Sequence, residues 1–410
     1  MANTKDVIGE QATLDGLIAR TLTEFEDDSL NNLPNYAFRN NNALITLTFP
    51  NMTTTGNYCF APCKSLVTIN LPNATLIGQS AISGCENLTT LNAPKASSFQ
   101  QSCLQNCYAL LGIETTADQP FFSSSVFNGC RSMTWLKLRG SSKATLSNSG
   151  YQFAGTPIEL HYGAVYVPSA LVSTYKADNN WNKYIIASLD DFPITDFSSI
   201  TDSWSEILAA EANGTYSTKY AIGDTKKAVI NGNDVYMQIA AFDADTLTAG
   251  GTAKITWIAK DFYDTHKMNE TNTHTDGWAA SGMRTWLQST IYDGLDSTLK
   301  SAIKSVDKTY YDPTSDSTKT VSDTLWIPSW REVGFSSQAA YESSGPIYSG
   351  LFTNDTSRLK HSLQVMQNAG WWVRSATTAS TVGFRLVQSN GTSYNSGATN
   401  AYGVIYCFCT

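Results

Sequence analysis

Between Leu22 and Leu160 the chain repeats one apolar phrase at a spacing of 22 residues. Leu22, Leu44, Leu66, Leu88 and Leu110 are evenly placed, and Met133 continues the series after a one-residue insertion. Three positions later come Phe25, Leu47, Ile69, Leu91, Ile113 and Leu136. The next alternate position holds Phe49, Leu71, Ala93 and Leu138, so each unit contains a short strand of period two. Pro50, Pro72 and Pro94 follow three of these strands and stop them, because proline has no ladder donor. Ile158 and Leu160 extend the pattern by one more period. No unit of this size buries its own apolar stripe, so the pattern predicts stacked coils that share one core.

Cysteine keeps the same phase. Cys63, Cys85 and Cys107 lie 22 apart with Cys130 after them, and Cys59 and Cys103 are two periods apart. Equal phase puts these thiols on the same rung of successive coils, as a buried packing ladder of small apolar side chains. Neighbouring coils also bring thiols within disulfide reach, so occasional bridges remain open. Val165-Tyr166-Val167-Pro168 and the helix-like segment after it, with Trp181 and Tyr184, read as the closing cap.

After residue 186 the period stops. Residues 187–200, with Pro193, read as a linker. Asp202 and Ser203 precede Trp204, Ile207, Leu208 and Ala212 at helical spacing, with Gly214 placed to end the helix. Residues 235–240 and 253–258 alternate as strands around the turn-rich stretch 243–251. Further helices are expected from Ser281 through Ile291 and from Asp296 to Ile303. Short strands are expected around 384–387 and 403–405, which makes this half α+β and loop-rich.

The final stretch changes character. From Ser375 onward there is no Lys, His, Asp, Glu, Met, Trp or Pro, and Tyr punctuates a run of Thr, Ser, Asn, Gly and Ala. Rigid tyrosines among small adaptable polar residues are the composition of a binding surface. A catalytic pocket needs a titratable group tuned to its task, and this stretch supplies none beyond Tyr and two Cys. Asp355 is the last acidic residue, so the C-terminal stretch offers no carboxylates for calcium. His266 and His274 near Asp264 and Asp276 lack ligand spacing and are expected at the surface. Cys407 and Cys409 are expected to pack in the core. Arg374 is expected to pair with a buried carboxylate such as Glu332 or to stack on tryptophan, with Trp371 and Trp372 as core anchors.

The bulk numbers sharpen the class. A net charge of −8 and 15% charged residues, with no basic run, argue against nucleic acid and anionic membrane. No apolar stretch is long enough to span a bilayer. The N-terminal residues lack a signal-peptide pattern, so synthesis in a cytoplasm is expected.

Two resemblances follow. Tyr36-Ala37-Phe38, Tyr58-Cys59-Phe60 and Ser80-Ala81-Ile82, each ahead of a Cys or Asn and then a Leu, resemble the BspA-like leucine-rich repeats, a class associated with adhesion and protein interaction. In the second half five features stand in order: Thr285-Trp286-Leu287, Leu325-Trp326-Ile327-Pro328-Ser329, Trp371-Trp372-Val373-Arg374-Ser375-Ala376, Gly383-Phe384-Arg385, and a terminal Gly403-Val404 with Phe408-Cys409. That order resembles the DUF6273 domains of gut-bacterial and phage proteins. This resemblance implies a C-type-lectin-like fold, shared with the variable proteins of diversity-generating retroelements. In those proteins adenine-directed mutagenesis of Asn codons reaches every residue type except Lys, Glu, Gln, Met and Trp. Between Ser375 and Thr410 only Gln388 falls outside that set, although a polar β segment has a similar composition on its own.

The expected fold class is an N-terminal leucine-rich-repeat solenoid of short strands followed by a C-terminal α+β C-type-lectin-like domain. Residues 1–20 are a cap or attachment segment, 21–186 the repeats with their cap, 187–200 the linker and 201–410 the ligand-binding domain. The expected function is that of a phage tail-associated receptor-binding or adhesion protein, not an enzyme, with no metal or cofactor. Its partner would be a protein or glycan on a bacterial surface, with other virion proteins at the N-terminal region and an oligomer among the options. The alternative is a structural virion or surface protein whose C-terminal domain packs against neighbouring subunits. The expected ligand contacts are Thr377, Thr378, Ser380, Thr381, Leu386, Thr392, Ser393, Tyr394, Asn395, Ser396, Tyr402 and Tyr406.

Overall fold

The computed structural model describes residues 22–148, 150–194, 198–335, 345–378 and 382–410. The chain divides into two compact units, Met1–Phe197 and Ser198–Thr410. The expected attachment segment at residues 1–20 lies outside the described residues.

The first unit is a β-solenoid of about seven turns. Its strands are two to four residues long and all parallel. Glu24–Glu26, Thr46–Thr48, Thr68–Asn70 and Thr90–Asn92 form one sheet, with Phe25, Leu47, Ile69 and Leu91 in register. A second sheet joins Leu76–Ile77, Ser98–Phe99, Phe121–Phe122 and Thr145–Leu146. A third joins Gly112–Thr115, Trp135–Leu138, Ala164–Val167 and Ile186–Ser188. The 22-residue period is therefore the coil length, and each aligned apolar position stacks on its equivalent. The last strand corrects the linker boundary: residues 186–188 pair with the preceding coil and are still part of the array.

Backbone geometry explains the polar part of each repeat. Tyr36, Tyr58, Ser80 and Ser102 all sit at positive φ, a conformation that costs energy for a residue with a side chain. Each donates its amide to a carbonyl one coil away, at 2.9–3.0 Å, so the coil-to-coil ladder offsets the local strain. The cysteines take part in the same ladder. Cys63, Cys85, Cys107 and Cys130 are buried, and their thiols donate to the carbonyls of Phe38, Phe60, Ile82 and Leu104 at 3.1–3.3 Å. All eight cysteines are free. The closing cap packs Trp181 and Tyr184 around Phe153, and the Trp181 indole donates to the Ala144 carbonyl at 3.0 Å.

The second unit is mostly sheet. Thr225–Ile230, Asn233–Phe242, Ile255–Ala259 and Cys407–Cys409 form a four-stranded antiparallel sheet. A five-stranded sheet runs in the order Thr265–Lys267, Ala401–Gly403, Trp371–Ala376, Gly383–Val387, Ser393–Gly397. The hairpin Val306–Asp312 with Ser317–Asp323 was not anticipated. The expected helices are present but short. Trp204–Ala212 starts with a capping box between Ser203 and Glu206. Gly282–Trp286 continues as a π turn over Leu287–Ile291, and Ser297–Ala302 is capped by Asp296. Cys407 and Cys409 are buried in the closing strand, as expected.

Candidate functional site

The strand Trp371–Ala376 lies at the middle of the five-stranded sheet, and all six of its residues are buried. Each indole is tied to the backbone: Trp371 donates to the Arg358 carbonyl at 3.1 Å and Trp372 to the His266 carbonyl at 2.9 Å. Trp372 also meets Tyr402 edge to face, with ring centroids 5.0 Å apart. Gly403 beside it has no room for a side chain, since a Cβ would lie 2.4 Å from the Phe262 ring.

Arg374 sits where the pairing of this strand shifts register. Its guanidinium grips both oxygens of Glu332, at 2.5 and 2.9 Å, and reaches the carbonyls of Ile327 at 3.0 Å and Thr309 at 3.2 Å. The pairing expected from sequence is thus realised. The rest of the network was not foreseen. The Lys308 ammonium, 1% exposed, contacts Glu332 at 2.7 Å and Asp245, and lies 4.1 Å above the Trp326 ring. Asp245 in turn accepts from Thr256 at 2.5 Å and Tyr348 at 3.1 Å. Burial penalises each charge, but the partners outweigh it. Glu332 is held well below the usual carboxylate range by Arg374 and Lys308, and Lys308 is held above its ordinary value by Asp245 and Glu332. Two cations and two carboxylates cancel, and they lock the hairpin, the 326–332 loop and the central strand together.

At the edge of the same sheet, Ser393–Gly397 pairs only with Gly383–Val387 among the described residues. Ser393, Tyr394 and Asn395 are exposed, with Tyr394 at 57%. Thr378 is exposed, while Thr392, Ser396 and Tyr402 are half-buried. The turn leading into the edge strand is braced: Thr392 donates to the Gln388 side chain at 2.9 Å, and the Gln388 amide donates to the Thr392 carbonyl at 2.7 Å. Ser396 donates to the Tyr402 hydroxyl at 3.4 Å and accepts from Asn400 at 2.8 Å. Thr399 and Asn400 are exposed beside these groups, although neither was singled out from sequence. Their position in the turn after the edge strand was the available signal.

Three expected contacts are corrected. Thr377, Leu386 and Tyr406 are buried at 1%, 2% and 3% exposure. The segment's composition suggested display, but Leu386 lies on a strand buried on both faces, and Thr377 and Tyr406 are packed into the core beside the strands that flank them. Ser380 and Thr381 lie outside the described residues. The histidines are corrected as well. His274 is buried and edge-on to Phe384, and His266 is half-buried and stacked on Trp286 at 4.5 Å. Among the described residues no group of three or more His, Cys, Asp or Glu side chains is placed to hold a metal. No described helix is long and apolar enough to cross a membrane.

Comparison with known proteins gives the following matches. Residues 21–149 match the BspA type leucine rich repeat region in six copies, and residues 253–409 match the domain of unknown function DUF6273. No curated protein matches. A crystal structure of a leucine-rich repeat protein from T. pallidum is 15% identical, covering 40% of this chain and 69% of its own, with a TM-score of 0.26. A leucine-rich repeat protein from Bacteroides ovatus ATCC 8483 is 14% identical, covering 36% of this chain and 56% of its own, with a TM-score of 0.19. The chain therefore spans about 56% of the length of that second structure. The protein thus carries a BspA-type leucine-rich repeat region, followed later in the chain by a DUF6273 domain.

Proposed function

We propose that the protein is a recognition protein, with the edge-strand surface of the second unit as its binding face. The single observation that carries this reading is the contrast within one sheet. The central strand is buried and locked by charges, while Ser393, Tyr394 and Asn395 stand exposed with no charged residue among them. A rigid support under adaptable polar groups and a tyrosine anchor lowers the entropy cost of binding. Thr378, Thr392, Ser396, Thr399, Asn400 and Tyr402 extend the face.

The fuller proposal follows the resemblances. The chain is a phage tail-associated adhesion protein with a C-type-lectin-like head, its C-terminal codons diversified by a retroelement, and its ligand is a protein or glycan on a bacterial surface. One detail supports diversification. Gln388, the residue outside the reachable set, braces the turn through Thr392 and so has a structural task, while the reachable residue types occupy the exposed positions. The repeat region is the spacer or a second adhesive surface. Flow cytometry of the labelled full-length chain on a panel of intact bacteria tests the reading. Binding to at least one strain, weakened tenfold or more by Tyr394→Ala with Asn395→Ala, is expected. Equal binding by that variant overturns it.

A further inference from the structure

The second unit also contains a cavity of about 520 Å³ beside the hairpin Val306–Asp312 and Ser317–Asp323, and the edge strand contributes no residue to it. Its volume falls in the range of small-molecule sites, and its lining mixes polar and apolar surface in similar measure. Lys308 and Glu332 are part of that lining. Lys308 is already engaged by Asp245, Glu332 and the Tyr348 hydroxyl, and Glu332 by Arg374, Lys308 and the Ser329 amide. These groups therefore offer an occupant a polar environment with no net charge.

Three threonines bring hydroxyl groups to the remaining lining. Thr309 and Thr320 are direct cross-strand partners in the hairpin, and Thr246 joins them. A threonine hydroxyl donates and accepts, which matches alcohols rather than ions. Asp307 also lines the cavity, and its Oδ1 accepts from Thr248 at 2.8 Å and Ser322 at 2.9 Å. A carboxylate disfavours an anionic occupant and accepts readily from ligand hydroxyls. Ala244 and Pro346 supply apolar surface for the C–H face of a ring.

We propose that this cavity binds a neutral polyhydroxyl ligand of monosaccharide size, at a site separate from the edge-strand face. Saturation-transfer NMR on the full-length chain tests it, with methyl β-D-glucopyranoside and methyl N-acetyl-β-D-glucosaminide as probes and glucuronate as the anionic counterpart. Transfer to the ring protons of at least one neutral glycoside is expected, weaker or absent for glucuronate. Thr309→Val with Thr320→Val should weaken it about threefold to tenfold, the loss expected for one or two hydrogen bonds. Thr320→Trp, an exposed strand position that tolerates an aromatic, should block the cavity and abolish transfer. Tyr394→Ala should leave transfer unchanged, which separates this site from the proposed binding face. No transfer to either neutral glycoside, transfer that survives Thr320→Trp, stronger binding of glucuronate than of the neutral glycosides, or loss on Tyr394→Ala overturns the proposal.

Discussion

Replacing Glu332 by Gln removes one charge from a buried set of four and keeps the shape. In the native structure its two oxygens accept from Arg374 at 2.5 and 2.9 Å, Lys308 at 2.7 Å and the Ser329 amide at 2.8 Å. After the change, Asp245 alone balances two buried cations, and an amide NH₂ group faces donors. Breaking one partner of such a buried set costs about 3–5 kcal/mol. For a unit of this size each kcal/mol moves the midpoint by about 2–4 °C, so a fall of roughly 6–20 °C is expected. Differential scanning calorimetry of the full chain reads it. The carboxyl of Glu332 is held low in the folded state, so its contribution is complete above the ordinary carboxylate pKa and is lost as pH falls through the folded value. The gap between wild type and variant should therefore narrow on acidification below about pH 4. Replacing Asp245, Lys308, Glu332 and Arg374 together by Leu and Met should recover much of the loss, since no unpaired charge remains. A cost under about 1 kcal/mol for Glu332→Gln alone would refute the assignment of the network as the lock.

Other outcomes follow from the same structure. Lys360 is buried and its ammonium is pushed down from 10.5 to about 8 by burial, against the opposing pull of Asp261. The folded state therefore binds fewer protons than the unfolded chain between these values. Wild type should gain stability relative to Lys360→Met as pH rises from about 8 to about 10.5, by roughly 2–3 kcal/mol in urea titrations. All eight cysteines are free and buried, so a thiol reagent should label none in the native protein and all after denaturation. A Cβ on Gly112 would lie 2.1 Å from the Trp135 ring and 2.4 Å from its carbonyl oxygen. Gly112→Ala should therefore lower stability by about 1–3 kcal/mol, while an alanine at exposed Ser393 should change it by less than about 0.5 kcal/mol.

The repeat half was legible because its physics is periodic. A coil of fixed length puts Leu44 over Leu66 and Cys63 under Cys85, so the sequence period and the strand register are the same fact. The sequence did not reveal the left-handed turns at Tyr36 and Ser80, since neither residue type signals positive φ. In the second half, helix starts were marked by local chemistry such as Ser203 with Glu206. The charged lock was only half visible. Arg374 belongs to a recognisable phrase and Glu332 lies three residues beyond another, whereas Asp245 reads as a turn residue and Lys308 as an ordinary surface lysine. Only the tertiary fold brings residues 63 positions apart into one ion pair. The binding face was read from composition, which does not report which segments the fold buries on both sides, and so Thr377, Leu386 and Tyr406 were placed outside when they are buried.

The most direct test exchanges the exposed residues Thr378, Ser393, Tyr394, Asn395 and Thr399 as a set for other Ser, Thr, Asn and Tyr combinations. Each version is measured for the bacterial strains it binds and for its melting temperature. The account predicts that strain choice changes from version to version while the midpoint stays within about 2 °C, the shift expected from exposed substitutions in a unit of this size. An unchanged binding profile across all versions, or a midpoint that collapses with most of them, would contradict it.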